Sequence, residues 1–306
     1  MLPVAMTSPF DKLRGTVGLW SFAHELIAPS AVAGFAQQVE DLGFSSYWYP
    51  ESFGREAFTA GSALLSATSE IIVATGIASI YARDANATAA ATKTLSAMSN
   101  DRFIAGLGVS HRPAVESMRK RTYAPPIATM EAYLDQMNQA LNLSRESATE
   151  LRTVLAALGP KMLDLASKKT GGALPYLVTP EHTAVARAAL GRDAFLAVEQ
   201  AVVLSDDSEV VSRRTKDHLQ MYTGLENYKN NWRRLGFGDE DFIPGGSDRL
   251  GAALVVSGNL DDLAERIGQH QQAGADHVCL QVLFDLKDGP PLEDFSTLQR
   301  LTEVRW

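Results

Sequence analysis

The stretch D-R-F-I-A-G-L-G-V-S-H, residues 101–111, decides the fold. Phe103, Ile104, Leu107 and Val109 form a nearly continuous apolar run. Such a run suits a strand buried on both faces, as in a parallel sheet covered by helices. Gly106 and Gly108 interrupt it, and a glycine inside a strand marks a bulge or the close approach of a ligand or another backbone. Ser110 and His111 then fall at the carboxyl end of the strand. In a parallel α/β barrel that is the end where chemistry is done. A neighbouring side chain filling the glycine gaps, with His111 in a surface loop, accounts for the same residues equally well.

The strand repeats in both directions. Strands are predicted at 16–21, 45–51 and 70–80 before it, and at 152–158, 172–178, 195–204 and 277–284 after it. Between them lie amphipathic or alanine-rich helices at 30–42, 58–69, 85–98, 130–143, 160–169 and 261–273. Ser30 is placed to cap the first of these and Gly43 to close it. Strand and helix alternating at roughly thirty residues is the pattern of repeated right-handed βα units, and eight strands point to a closed (β/α)₈ barrel. The interval after the seventh strand is too long for one connection. Residues 206–242 are charged and aromatic, with Tyr222, Tyr228 and Trp232, and a glycine loop follows at 244–246. They read as a helical insertion between strands seven and eight, about 206–250. Such an insertion either selects substrate or covers the barrel and dimerises. Residues 1–14, with Pro3 and Pro9, read as a loose leader, and 1–306 as a single domain.

With 306 residues, 45% hydrophobic and 21% charged, the chain can bury one large core. A net charge of -8 argues against a nucleic-acid partner. Lys168-Lys169 and Arg233-Arg234 are isolated basic pairs of the kind left in solvent. A lone cysteine, Cys279, permits no intrachain disulfide and fits a reducing cytoplasm, where it reads as a small buried hydrophobe. No apolar run reaches membrane-span length, and no signal-type segment opens the chain. The six histidines match no zinc spacing, so no metal is expected.

V-A-T-G-I-A at 73–78, the stretch at 101–111 and A-L-G-P-K-M at 157–162 together resemble the bacterial luciferase-like oxidoreductases. Within them the chain is similar to the actinobacterial branch that uses the deazaflavin coenzyme F420. The further motifs Y-P-E-x-x-G-R-E (49–56), P-Y-L-V-T-P-E-H-T (175–183), G-G-S-D-R-L (245–250) and A-G-A-D-H-V-C (273–279) carry the likeness over nearly the whole chain. The resemblance implies a luciferase-like TIM barrel that dimerises through its helices. It implies a flat ring resting on Thr75, Gly76 and Ile77, with a cis peptide at Gly76–Ile77, and near Gly108, Ser110 and His111. It also implies that the cofactor's phosphate lies at Gly159, Pro160, Lys161 and Met162. There glycine allows approach, proline suits the first helical position, and first-turn amides attract an anion; an ordinary strand-to-helix turn reads the same way.

In related sugar-phosphate dehydrogenases an acid and a histidine follow the second strand. Here Glu51 matches the acid, but Ser52 replaces the histidine. The family's proton-donating glutamate falls on His111. A cluster of basic residues for a sugar phosphate has no match. His111 can shuttle a proton, because imidazole titrates near neutrality, or it can only hydrogen-bond the ring. Glu51 can be a base, a ring ligand or an ion-pair partner of Arg55 or Arg83. The expected activity is F420-dependent hydride transfer to or from a small organic substrate. The alternatives are an FMN-dependent monooxygenase on the same fold and a deazaflavin-binding protein without turnover.

Overall fold

The computed structural model describes residues 8–52, 54–144, 150–285 and 295–304. Among these residues ten parallel strand segments occur: β1 Thr16–Trp20, β2 Ser46–Tyr49, β3 Ile72–Thr75, β4 Ala78–Ser79, β5 Phe103–Gly108, β6 Thr153–Leu155, β7 Gly172–Ala173, β8 Phe195–Val203, β9 Val255–Ser257 and β10 His277–Val282. Pairing runs β1-β2-β3-β5-β6-β7-β8, and β10 closes the ring by pairing both β8 and β1. β4 continues β3 beyond a break and β9 pairs only β8, so eight strand positions make a closed barrel.

The helices are α1 Pro9–Leu13, α2 Ala23–Leu26, α3 Val32–Asp41, α4 Ala57–Ala67, α5 Ala85–Met98, α6 Pro126–Gln139, α7 Pro160–Lys169, α8 Pro180–Leu190, α9 Ser208–Tyr222, α10 Glu226–Arg234, α11 Asp248–Leu254, α12 Leu260–Gln272 and α13 Phe295–Leu301. None is long and apolar enough to cross a membrane among the described residues.

Alternation along the strands separates two cores. Phe195 and Ala197 of β8 point into the barrel beside Trp48, Ile72, Ala74, Ile104, Val154, Leu174 and Cys279. Leu196, Val198 and Val202 point out against the helices. Filling a barrel with side chains makes it a core and not a pore. Cys279 is fully buried, in the small-hydrophobe role read from its neighbours.

Several expectations need correction. The first residues are no loose leader where they are described. Ser8 caps α1, Leu13 is fully buried, and Phe10 stacks 5.1 Å from Phe195; the leader's first seven residues lie outside the described set. Ser30 does not cap α3, because it sits in a 3-10 turn over Pro29–Ala31. The third strand is not continuous over 70–80, since it breaks into β3 and β4. β6 and β7 are much shorter than the runs at 152–158 and 172–178. The insertion also extends past 250, adding α11 and β9 before α12.

Candidate active site

The site is built at the carboxyl ends of the strands. Between β3 and β4 the Gly76–Ile77 peptide is cis, as the resemblance implies. Gly76 N–H donates to Tyr49 O at 2.6 Å, and Glu51 N–H to Ile77 O at 3.0 Å. Trp20 Nε1–H donates to Gly76 O at 2.9 Å. A Cβ on Gly76 would lie 2.8 Å from that nitrogen and 3.1 Å from Leu174, so glycine is what fits. Gly76 and Ile77 stay half-exposed. They form a fixed shelf facing the cleft. Ile77 folds down onto Gly108, where a Cβ would lie 2.6 Å from its Cδ1. The gap in β5 therefore admits a neighbouring side chain. Thr75 is fully buried and its hydroxyl donates to Gly106 O at 2.7 Å, so its side chain does not reach the cleft.

Glu51 pairs with Arg83 and accepts from Ser79 N–H at 2.7 Å. Of the three roles open to it, this arrangement matches the ion pair, which ties β2 to β4. Ser110 has φ 53°, a left-handed backbone for a non-glycine residue, and its hydroxyl donates to Ser79 Oγ at 2.8 Å. That bond holds the turn at the end of β5. His111 follows, half-buried, its ring centroid 5.8 Å from that of Tyr228. Burial lowers its pKa, and a hydrogen bond with Asn227 opposes the shift, so near neutrality the imidazole is uncharged. His24 is buried against Tyr47 and Tyr49.

The start of α7 supplies the second half of the site. Gly159 is its N-cap and brings no capping side chain, and Pro160 occupies the first turn. Met162 N–H turns back to Gly159 O at 3.1 Å. The first-turn amide left for an outside acceptor is that of Lys161, because helix starts leave such groups unpaired. Sequence reading missed Arg234. The sequence places it in solvent as half of a basic pair, yet its Nη2 would lie 3.7 Å from a Cβ on Gly159. Its Nη2 donates to Asn231 Oδ1 at 3.0 Å, and no carboxylate pairs with it among the described residues. A guanidinium with no carboxylate partner beside a helix N-terminus is a candidate anion site. His182 occupies the first turn of α8 and its Nε2 bonds Leu158 O at 2.9 Å.

The insertion makes the remaining wall. Tyr176 packs on Trp20 at 5.2 Å and on Tyr222 at 5.5 Å. Tyr222 Oη donates to Tyr176 Oη at 3.2 Å, and Tyr176 Oη to Gln281 Oε1 at 2.8 Å. Tyr228 and His218 complete the group. Shelf, anion site and aromatic wall thus share one end of the barrel. No cluster of potential metal ligands occurs among the described residues.

Comparison with known proteins bears on the fold and the family. Residues 13–277 match the family described as Luciferase-like monooxygenase. A provisionally assigned coenzyme F420-dependent oxidoreductase of Mycobacterium tuberculosis is 26% identical, with 86% of this chain and 92% of that protein covered. An F420-dependent secondary alcohol dehydrogenase solved with an F420-acetone adduct superimposes with a TM-score of 0.72 at 13% identity, covering 96% of this chain and 98% of the other. The oxygenating constituent of 3,6-diketocamphane monooxygenase from Pseudomonas putida, solved with FMN, gives 0.67 at 14% identity, covering 95% and 98%. The last two likenesses speak for the fold, and the first match spans most of the sequence: this chain belongs to the luciferase-like monooxygenase family.

Proposed function

We propose that the protein is an F420-dependent oxidoreductase that moves a hydride between the bound deazaflavin and a small organic substrate such as an alcohol, an aldehyde or an activated alkene. The observation that carries this reading is the pairing of a flat, half-exposed shelf at Gly76–Ile77 with an anion site at Lys161 and Arg234. A planar ring and an anionic tail fit these two features. The sequence relative from Mycobacterium tuberculosis, named for F420, supports the choice of cofactor.

Bound there, the deazaflavin supplies the hydride chemistry, and the protein supplies position and protons. The shelf, held by Trp20, Tyr49 and Glu51, sets the plane of the ring. Arg234 and the α7 start hold the tail. Neutral His111 and the tyrosines line the space left for substrate and exclude water. Alignment of two partners can remove roughly 7–11 kcal/mol of barrel-bound reaction barrier at its upper limit. By analogy with the family, the protein works as a homodimer.

The test is titration of the purified protein with F420 and, separately, with FMN. Quenching of deazaflavin fluorescence, followed by hydride exchange with a panel of alcohols and aldehydes, is the expected result. Tight FMN binding without such quenching would instead favour an FMN-dependent monooxygenase. Quenching with no exchange on any substrate would leave a binding protein without turnover.

A further inference from the structure

Glu199 sits mid-way along β8 and has no evident structural partner for half of its carboxyl. By the alternation that sends Phe195, Ala197 and Ala201 inward, it points into the barrel. It is 1% exposed. Its Oε2 accepts from Leu177 N–H at 3.0 Å. Its Oε1 is buried and has no hydrogen-bond partner.

The groups that face it are Tyr176 from the segment after β7, Tyr222 from α9, Tyr228 from α10 and Cys279 from β10. His218, also on α9, packs against Tyr176 and Tyr222, and its Nε2 is buried without a partner as well. No cation pairs with Glu199 among the described residues. An ionised carboxylate in such surroundings costs several kcal/mol, so the group keeps its proton. Burial accordingly pushes the Glu199 carboxyl up to about 8. The same burial pulls His218 down to about 4, so it brings no positive charge.

The position where the family carries an acid is His111, a neutral imidazole here and a weak donor. The site otherwise lacks a proton source, since Glu51 is tied to Arg83. We propose that Glu199 is the general acid of this site, held as a neutral carboxylic acid whose unpartnered Oε1–H, set among Tyr176, Tyr222 and Tyr228, is delivered to the substrate oxygen on that side. This rests on the hydride-transfer reading above. In the direction of carbonyl reduction, the Glu199 O–H bond breaks and an O–H bond forms on the substrate oxygen. At the same time the carbonyl π bond opens as its carbon receives the hydride from the reduced cofactor. Two electrons pass from cofactor to substrate, and Glu199 is left as a carboxylate that regains its proton from solvent. In alcohol oxidation the carboxylate takes the proton instead.

Glu199→Gln keeps an oxygen for Leu177 N–H and removes the acid. The first measurement uses the cofactor-free protein: difference infrared spectra, wild type minus variant, near neutral pH. A protonated-carboxyl band present in the wild type and absent from the variant is expected, and it should disappear as pH is raised through about 8. No such band overturns the proposal, whether or not deazaflavin binds. The second measurement is carbonyl reduction under single turnover. The variant should bind deazaflavin as the wild type does, lose about a hundredfold or more in the reduction step, and lose the alkaline fall in rate that the wild type shows. A variant that reduces carbonyls at the wild-type rate, or is slowed with the alkaline limb intact, overturns it too, because a packing role would leave that limb in place. Failure of the wild type to quench deazaflavin fluorescence would count against the cofactor reading alone, and the infrared result would still decide the state of Glu199.

Discussion

Gly108 has its α-carbon where Ile77 comes down from the shelf, and Gly106 has its own beneath the Thr75 carbonyl. The two look alike in the sequence, yet their neighbours differ in stiffness. A methyl on Gly108 meets the movable tip of an isoleucine; a methyl on Gly106 collides with backbone. Gly108→Ala should therefore fold, lose about 1–2 kcal/mol in urea unfolding, and bind deazaflavin more weakly because Ile77 is pushed toward the cleft. Gly106→Ala should be the more damaging of the pair in the same unfolding assay. That a strand with two glycines borders something close was legible in the sequence. Which atoms come close was not, because the shelf lies some thirty residues upstream. Glu199 is inconspicuous in the sequence for a related reason. In F-L-A-V-E-Q it reads as one polar residue in a strand, and only the lack of a cation around it makes it unusual.

At the scale of elements, the start of α7 is joined by Arg234 of α10, which lies beside Gly159. The bounds of α5 and α7 agree with the sequence reading to the residue, since alanine runs and Gly-Pro starts are local signals. α8, β9 and the reach of Arg234 were not legible. β9 has three residues, too few for any period, and the position of Arg234 depends on how the insertion folds back. If Arg234 holds an anion beside Gly159, Arg234→Ala should weaken deazaflavin binding by about 1.5 kcal/mol, roughly tenfold. The loss should shrink as salt is raised, because the guanidinium is exposed. Fluorescence titrations at two ionic strengths check this, and Arg233→Ala is the control. Arg233 is occupied with Asp239 and the Phe242 ring, so its removal should leave binding unchanged.

Across the whole molecule, burial lowers the pKa of every histidine, and most of all at four of them. Desolvation lowers His24, His218 and His277 to about 4 and His270 to about 3. Unfolded, each would titrate near 6.5, so the unfolded chain binds more protons below that value. Their stabilising effect is complete above about pH 6.5 and is lost as pH falls toward 4. At pH 5 the loss is roughly 2 kcal/mol for each, enough together to threaten a fold of ordinary stability. Glu199 acts with the opposite sign: its raised value makes the folded state less favoured as pH climbs from the usual carboxylate range to about 8. Urea midpoints taken between pH 4.5 and 8 should therefore peak near neutrality and drop steeply on the acid side. The closed barrel behind these burials was foreseen from strand repetition, whereas the neutrality of the histidines depends on which faces they take.

β8 carries three neighbours on two flanks. β10 runs along one, while β7 holds Phe195 and Leu196 and β9 holds Ala201, Val202 and Val203 along the other. The inserted helices are thus stitched back into the wall they rise from, at both seams, by main-chain bonds. A roof sewn down in that fashion does not swing away as a lid, so traffic through the entrance falls to the rotation of single rings such as Tyr176 and Tyr222.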